Sequence, residues 1–236
     1  MRSYTLATDY DGTLATQGKV DEQTLSALCR FLSSGRKLLL ITGREVPDLK
    51  RVFPHLNLFA LVVAENGALL YRPSSGEEEL LCAPASLSLA SKLRREGVPL
   101  SLGRAVIASV EPHLDAVRNA IAESGLDLRI ALNKGSLMVL PAGVNKATGF
   151  RRALAELGLD TCNVIGIGDA ENDCDFLKAC GCSVAVANAL PAVKSSADVV
   201  TLGAHGAGVA EIIDRVLAGN LPVCANRSRG YFGEPG

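Results

Sequence analysis

Asp9, Tyr10, Asp11, Gly12 and Thr13 stand together directly after the first apolar run of the chain. Residues two apart on an extended strand share a side, so both carboxylates can project beyond the strand's C-terminal end. That is where open α/β sheets bind ligands. Gly12 permits a sharp departure of the backbone there. Two close carboxylates repel unless a cation or a proton lies between them, so the pair points to metal binding, acid–base work or both. The competing reading is a plain turn, because Asp-Gly is common in turns.

Three further groups follow later apolar runs. Thr42-Gly43-Arg44 offers a hydroxyl and backbone amides to an anion. Lys146 opens a helix, near the positive end of its dipole, where a phosphoryl group can be held. Gly168-Asp169-Ala170-Glu171-Asn172-Asp173 concentrates acidic and amide side chains in one loop. Magnesium prefers hard oxygen ligands and keeps several waters. Asp9 and Asp169 suit two such ligands, with Asp173 and Asn172 orienting them from behind. Each piece alone is as well explained by a turn, a solvated charge or an acidic surface loop. Four of them at successive strand ends of one sheet make coincidence a poor explanation.

The elements that must position these groups are legible in the apolar pattern. Residues 3–8, 37–41, 60–64, 163–167 and 183–186 are short, apolar throughout and separated by helical periodicity over 21–34, 47–53, 146–157 and 174–179. Strands of that kind alternating with helices predict a parallel sheet covered on both faces. A short last strand at 199–200 and a helix over 207–217 complete the series. Residues 69–71 and 79–82 flank a Pro-Ser-Ser-Gly turn and read as a hairpin. Between Pro84 and Pro141 the rhythm becomes helix-strand-strand, repeated once: 84–96, 98–102 and 105–110, then 112–124, 128–132 and 136–140. The expected fold is α/β, a Rossmann-like parallel-sheet core (1–82 and 145–223) with an inserted α+β cap (83–144). The tail at 224–236, rich in Gly, Arg and Ser, is expected to be poorly ordered.

Composition narrows the function classes. In 236 residues, 24 basic side chains balance 25 acidic ones to a formal charge of −1, so nothing there points to nucleic acid or an anionic membrane, partners that usually demand a basic excess. The longest apolar stretch, 58–64, is far short of the roughly 18 residues that cross a bilayer. The N-terminus lacks the apolar core of a secretory signal. Seven cysteines lie mostly in apolar segments, and the spacing of Cys180 and Cys182 is neither a zinc nor a redox one. They read as reduced, packed thiols of a cytoplasmic protein.

With these motifs in this order, the chain resembles the haloacid dehalogenase-like hydrolases, specifically the Cof-type (IIB) phosphatases with an α+β cap inserted after the second motif. The resemblance runs from Thr5 to about Leu217. It includes the supporting stretches Glu65-Asn66-Gly67, Ala187-Asn188-Ala189 and Gly206-Ala207-Gly208-Val209. It implies a magnesium-dependent phosphatase acting on a small phosphorylated metabolite such as a sugar phosphate or phosphoglycolate. Asp9 would become the aspartyl phosphate, and Asp11 would be general acid and base. Thr42 and Lys146 would grip the phosphoryl oxygens. The metal would be held by Asp9, Asp11 and Asp169, with Asp173 supporting it. Thr42, Gly43, Arg44, Asn66, Lys146 and Asn172 form the expected substrate-contact set in the core, and Arg104, Lys134 and Ser136 in the cap. Tyr10, where the family usually has an aliphatic residue or Phe, should point away from the site. A phosphotransferase such as a sugar phosphomutase, a receiver-like phospho-acceptor domain and a catalytically silent binding domain are the alternatives.

Overall fold

Apolar runs that lack any polar alternation become the centre of a sheet. β1 (Thr5–Thr8), β2 (Leu38–Ile41), β3 (Leu61–Ala64), β10 (Val164–Gly168) and β11 (Cys182–Ala185) are buried at every residue. They run parallel, with the two-residue β12 (Val199–Val200) beside β11. Beyond β3 the sheet continues antiparallel through β4 (Leu69–Arg72) and β5 (Glu77–Leu80), the hairpin expected from the sequence. The full order is β12-β11-β10-β1-β2-β3-β4-β5. This is a computed structural model, and it describes residues 4–220. The expectation for the tail at 224–236 lies outside the described residues.

Helices cover both faces, each started by local chemistry. Asp21 caps α1 (Glu22–Ser33) by accepting the Thr24 N–H at 2.7 Å, and the helix buries Ala27, Leu28 and Phe31. It packs against α8 (His205–Leu217). α2 (Val46–Val52) follows β2. Asn145 and Thr148 cap each other's backbone N–H at the start of α5 (Lys146–Leu157), which Gly158 ends in a left-handed conformation. α6 (Cys174–Ala179) and the short α7 (Pro191–Ser196) complete this half. The sequence pattern assigns no element to the residues of α7.

The chain between β5 and α5 forms a second sheet. Its strands are β6 (Ser101–Leu102), β7 (Ile107–Val110), β8 (Leu128–Asn133) and β9 (Ser136–Pro141), all antiparallel in the order β6-β7-β9-β8. α3 (Leu87–Arg95) and α4 (Leu114–Ser124) lie on one face. Alternation sorts β9 cleanly. Leu137 and Val139 pack with Leu89, Leu93 and Val117 of the helices, whereas Met138 and Leu140 turn to the other face, with Ala105, Val106 and Ala68. That second face looks towards the large sheet. β6 is shorter than the expected 98–102. Pro99 has no N–H, and the Val98 N–H closes the end of α3 on the Leu93 carbonyl at 3.0 Å. The reading of packed, reduced thiols needs two corrections: Cys29 and Cys162 are exposed rather than packed, and one cysteine is not a free thiol. Cys29, Cys82, Cys174 and Cys180 are free thiols, but Cys182 is disulfide-bonded.

Candidate active site

β1 and β10 are neighbours in register, Thr8 opposite Ile167, and the Asp9 N–H still donates to the Ile167 carbonyl at 2.9 Å. The residues that follow each strand therefore leave the sheet side by side. This brings Asp9 to Asp169, although 160 positions separate them. Carboxylate oxygens of Asp9, Asp169 and Asp173 lie within 4.8 Å of one another, all three groups buried. Gly12 turns away from β1 at φ +81°, and the Asp169 carboxylate occupies the space a Cβ would need there. Here glycine is required twice over, by backbone and by packing.

Each acid in the cluster has a definite set of partners. The Lys146 ammonium, buried at the first residue of α5, bonds Asp9 Oδ1 at 2.5 Å and Asp173 Oδ1 at 2.7 Å. Asp173 Oδ2 accepts the N–H groups of Asp169 and Ala170 at 2.9 and 3.0 Å, which folds the loop after β10 into a tight turn. The Thr13 hydroxyl donates to Asp169 Oδ1 at 2.9 Å, and the Lys134 ammonium bonds Asp169 Oδ2. Burial raises the pKa of Asp9 well above the ordinary carboxylate value, against the pull of Lys146. Burial likewise raises Asp169, with Lys134 opposing. For Lys146 burial acts against the charge, but Asp173 and Asp9 outweigh it and its pKa lies above the usual lysine value. Three carboxylates around two ammonium groups leave an excess of negative charge. The cluster offers hard oxygen donors of the kind a divalent cation takes, so the residues fit a metal ion.

Asp11 is not in this cluster. Its oxygens receive the Arg44 guanidinium, Nε to Oδ2 at 2.6 Å and Nη2 to Oδ1 at 2.7 Å. Arg44 also pairs with Asp48 and lies over the ring of Tyr10 at 5.3 Å. Tyr10 is fully buried and donates its hydroxyl to the Gly18 carbonyl at 3.0 Å. It points into the core as expected, yet it still serves the site by supporting Arg44. Thr42 is buried, and its oxygen accepts the Arg44 N–H at 3.1 Å. Asn66, at φ +56°, accepts from the Asn172 amide at 2.9 Å and contacts the Met138 sulfur. Asn172 Oδ1 is buried without a hydrogen-bond partner.

A cleft of about 1010 Å³ opens between the two sheets over these groups. Asp9, Asp11, Gly43 and Arg44 line its floor, and Ser109, Lys134, Ser136 and Met138 belong to the second sheet's wall. Of the expected contacts on the second sheet, Lys134 and Ser136 are brought to the cleft. Arg104 is not. Its guanidinium pairs with Glu78 at 3.1 Å, and its backbone N–H donates to Glu65 at 3.0 Å.

Three residues that sequence reasoning left without a role hold the site's frame. The buried Glu65 carboxylate accepts the N–H groups of Arg104, Ala105 and Val106, fastening the β6–β7 turn to the large sheet. His205, with Asn188, grips the Gly12 carbonyl at 2.9 and 2.7 Å. Only the placement of Glu65 and Asn188 inside supporting stretches hinted at either contact.

The family model for haloacid dehalogenase-like hydrolases matches residues 6–93 and 102–213. The chain belongs to this family. A phosphoglycolate phosphatase of Saccharolobus solfataricus is 33% identical over 223 residues, covering 92% of this chain and 93% of that protein. Among solved structures, a haloacid dehalogenase-like hydrolase from Bacteroides thetaiotaomicron superposes with a TM-score of 0.77 at 22% identity, covering 90% of this chain and 99% of that one. A HAD subclass IIB sugar phosphatase does so with 0.73 at 19%, covering 92% and 100%. The chain is thus a haloacid dehalogenase-like hydrolase, a phosphatase enzyme rather than a receiver domain. Among the described residues no helix is long and apolar enough to cross a membrane.

Proposed function

We propose that this chain is a magnesium-dependent phosphatase that takes phosphate from a small phosphorylated metabolite by way of a phosphorylated Asp9. The carrying observation is the buried Lys146 ammonium between Asp9 and Asp173, with Asp169 in the same cluster beneath the cleft. Asp9 and Asp169, with the backbone carbonyl of Asp11, are the groups that would hold the metal, and Asp173 would support it. Once bound, it would supply positive charge against the phosphate dianion.

The chain's own groups account for the remaining steps. Asp9 Oδ1 is fixed by Lys146, and its second oxygen is the one left to attack phosphorus in line with the leaving oxygen. Lys146 cannot easily lose its proton, so it stays a cation that draws phosphoryl oxygens towards Asp9. The Thr42 hydroxyl accepts from Arg44, and its own proton can turn to a phosphoryl oxygen. Asp11 gives a proton to the leaving alcohol and takes one from the attacking water. For this it must exchange the two-pronged Arg44 contact for substrate. Catalysis of phosphoryl transfer is largely such positioning and charge balance. Relatives named phosphoglycolate phosphatases over almost the whole chain make phosphoglycolate the first substrate to try.

The test is release of inorganic phosphate from phosphoglycolate and from p-nitrophenyl phosphate, with magnesium and after chelation. Release that stops with chelator and returns with magnesium is expected. Equal release in chelator would overturn the metal requirement. Label found in a sugar bisphosphate instead of inorganic phosphate would indicate a phosphomutase.

A further inference from the structure

Lys134 sits at the tip of the turn joining β8 and β9, in a left-handed conformation at φ +45°. Its backbone N–H donates to Glu171 at 3.3 Å, and its side chain reaches down to Asp169 Oδ2. The other oxygen of Asp169 is occupied by the Thr13 hydroxyl. A cation approaching Asp169 therefore meets an oxygen already held by an ammonium, and two cations on one oxygen repel. Among the described residues, the second sheet's wall of the cleft bears no other charge: around Lys134 it is Leu100, Ser101, Ala108, Ser109 and Met138. On the floor, Arg44 is shared between Asp11 and Asp48, and its pair with Asp48 remains when Asp11 turns to substrate.

The geometry points to a cation exchange. Lys134 is the tethered counterion of Asp169 in the metal-free enzyme; a divalent ion displaces it, and the released ammonium then pairs with a carboxylate on the leaving group of the substrate. The second half rests on the phosphatase reading above. The order of events follows from charge. Without the metal, Lys134 is needed at Asp169 to offset buried negative charge, and is not available to substrate. With the metal in place it is repelled from Asp169, while the tip of the turn stays beside the cleft. A substrate with an anionic leaving group is thus favoured only by the metal-loaded enzyme.

Isothermal titration of the substrate-free protein with magnesium, or with manganese as the tighter-binding probe, tests the exchange. Lys134→Met and Lys134→Asn remove the competing ammonium. Asn suits a left-handed turn, so at least one variant keeps the local fold. Both should bind the metal about tenfold more tightly or better, whereas Lys134→Arg, which retains the charge, should stay near wild type. Unchanged or weaker metal binding in folded Lys134→Met and Lys134→Asn overturns the exchange.

The pairing is read from selectivity between phosphoglycolate and hydroxyethyl phosphate, which carries a neutral hydroxymethyl group in place of the carboxylate. The kcat/KM ratio of the two should fall by about tenfold to a hundredfold in Lys134→Met. A ratio equal to that of wild type overturns the pairing. The metal titration uses no substrate. A wild-type protein that released no phosphate would sink the phosphatase reading and leave the exchange to be decided by titration.

Discussion

In the proposed reaction Asp9 carries the chemistry, and it does so from within a crowded, buried group of acids. Burial and the nearby Asp173 and Asp169 push its pKa up, and only Lys146 pulls it down. Replacing it by Asn removes one charge from a crowded buried cluster and leaves Lys146 its bond to Asp173. Asp9→Asn should therefore fold normally while losing on the order of a thousandfold or more in kcat, as expected when a group that acts within a catalytic unit is deleted. Phosphate release and a thermal melt check the two halves. A normal melt with activity near wild type would remove Asp9 from its role. Gly12 shows why a single residue can be indispensable without touching substrate, since its missing side chain is the room in which Asp169 sits.

Among the elements, the β6–β7 turn depends on one side chain. Three backbone N–H groups converge on Glu65, and a Cβ at Gly103 would meet that carboxylate at 2.7 Å. Glu65→Gln places an amide donor among those donors. The turn should then open more readily by about 1–3 kcal/mol, seen as faster hydrogen exchange at residues 104–106 with the amides of β2 unchanged. Exchange at wild-type rates would show that other contacts hold the turn. The strands of the large sheet and the helices α1 and α5 were readable because burial on both faces and helical periodicity leave local signatures. So were the acids after β1 and β10, because strand ends in a parallel sheet all lie on one side. Contacts between distant elements were not readable. Nothing around Arg104 says that its guanidinium turns to Glu78, and nothing around Lys134 says that it reaches Asp169. A lone polar residue in a turn has no periodicity to betray its partner.

At the scale of the molecule, the chain leaves the large sheet after β5 and returns to it in α5. The two places are tied by ion pairs. Arg72 of β4 bonds Glu79 of β5 at 2.5 Å and Glu156 of α5 at 2.6 Å, and Arg152 reaches Glu79 at 3.2 Å. Hydrogen bonds from Arg72 hold the pKa of Glu79 and of Glu156 below the ordinary value. For carboxylates lowered in the folded state, the stabilisation is present above the unfolded value of about 4.3 and is lost as pH falls through the folded one. Arg72→Ala should thus lower the urea midpoint at pH 7, and the gap to wild type should narrow as acidification protonates both glutamates. A gap independent of pH would mean that Arg72 stabilises through packing alone. The same region settles how the large sheet ends. β5 is its outer strand on that side and reads Glu77-Glu78-Glu79-Leu80, while the opposite margin, β12, is only two residues long. A stranger's backbone seeking to zip onto either border finds a row of acids at one and almost no ladder at the other. The architecture therefore resists growing sideways into fibrils even when the protein is crowded.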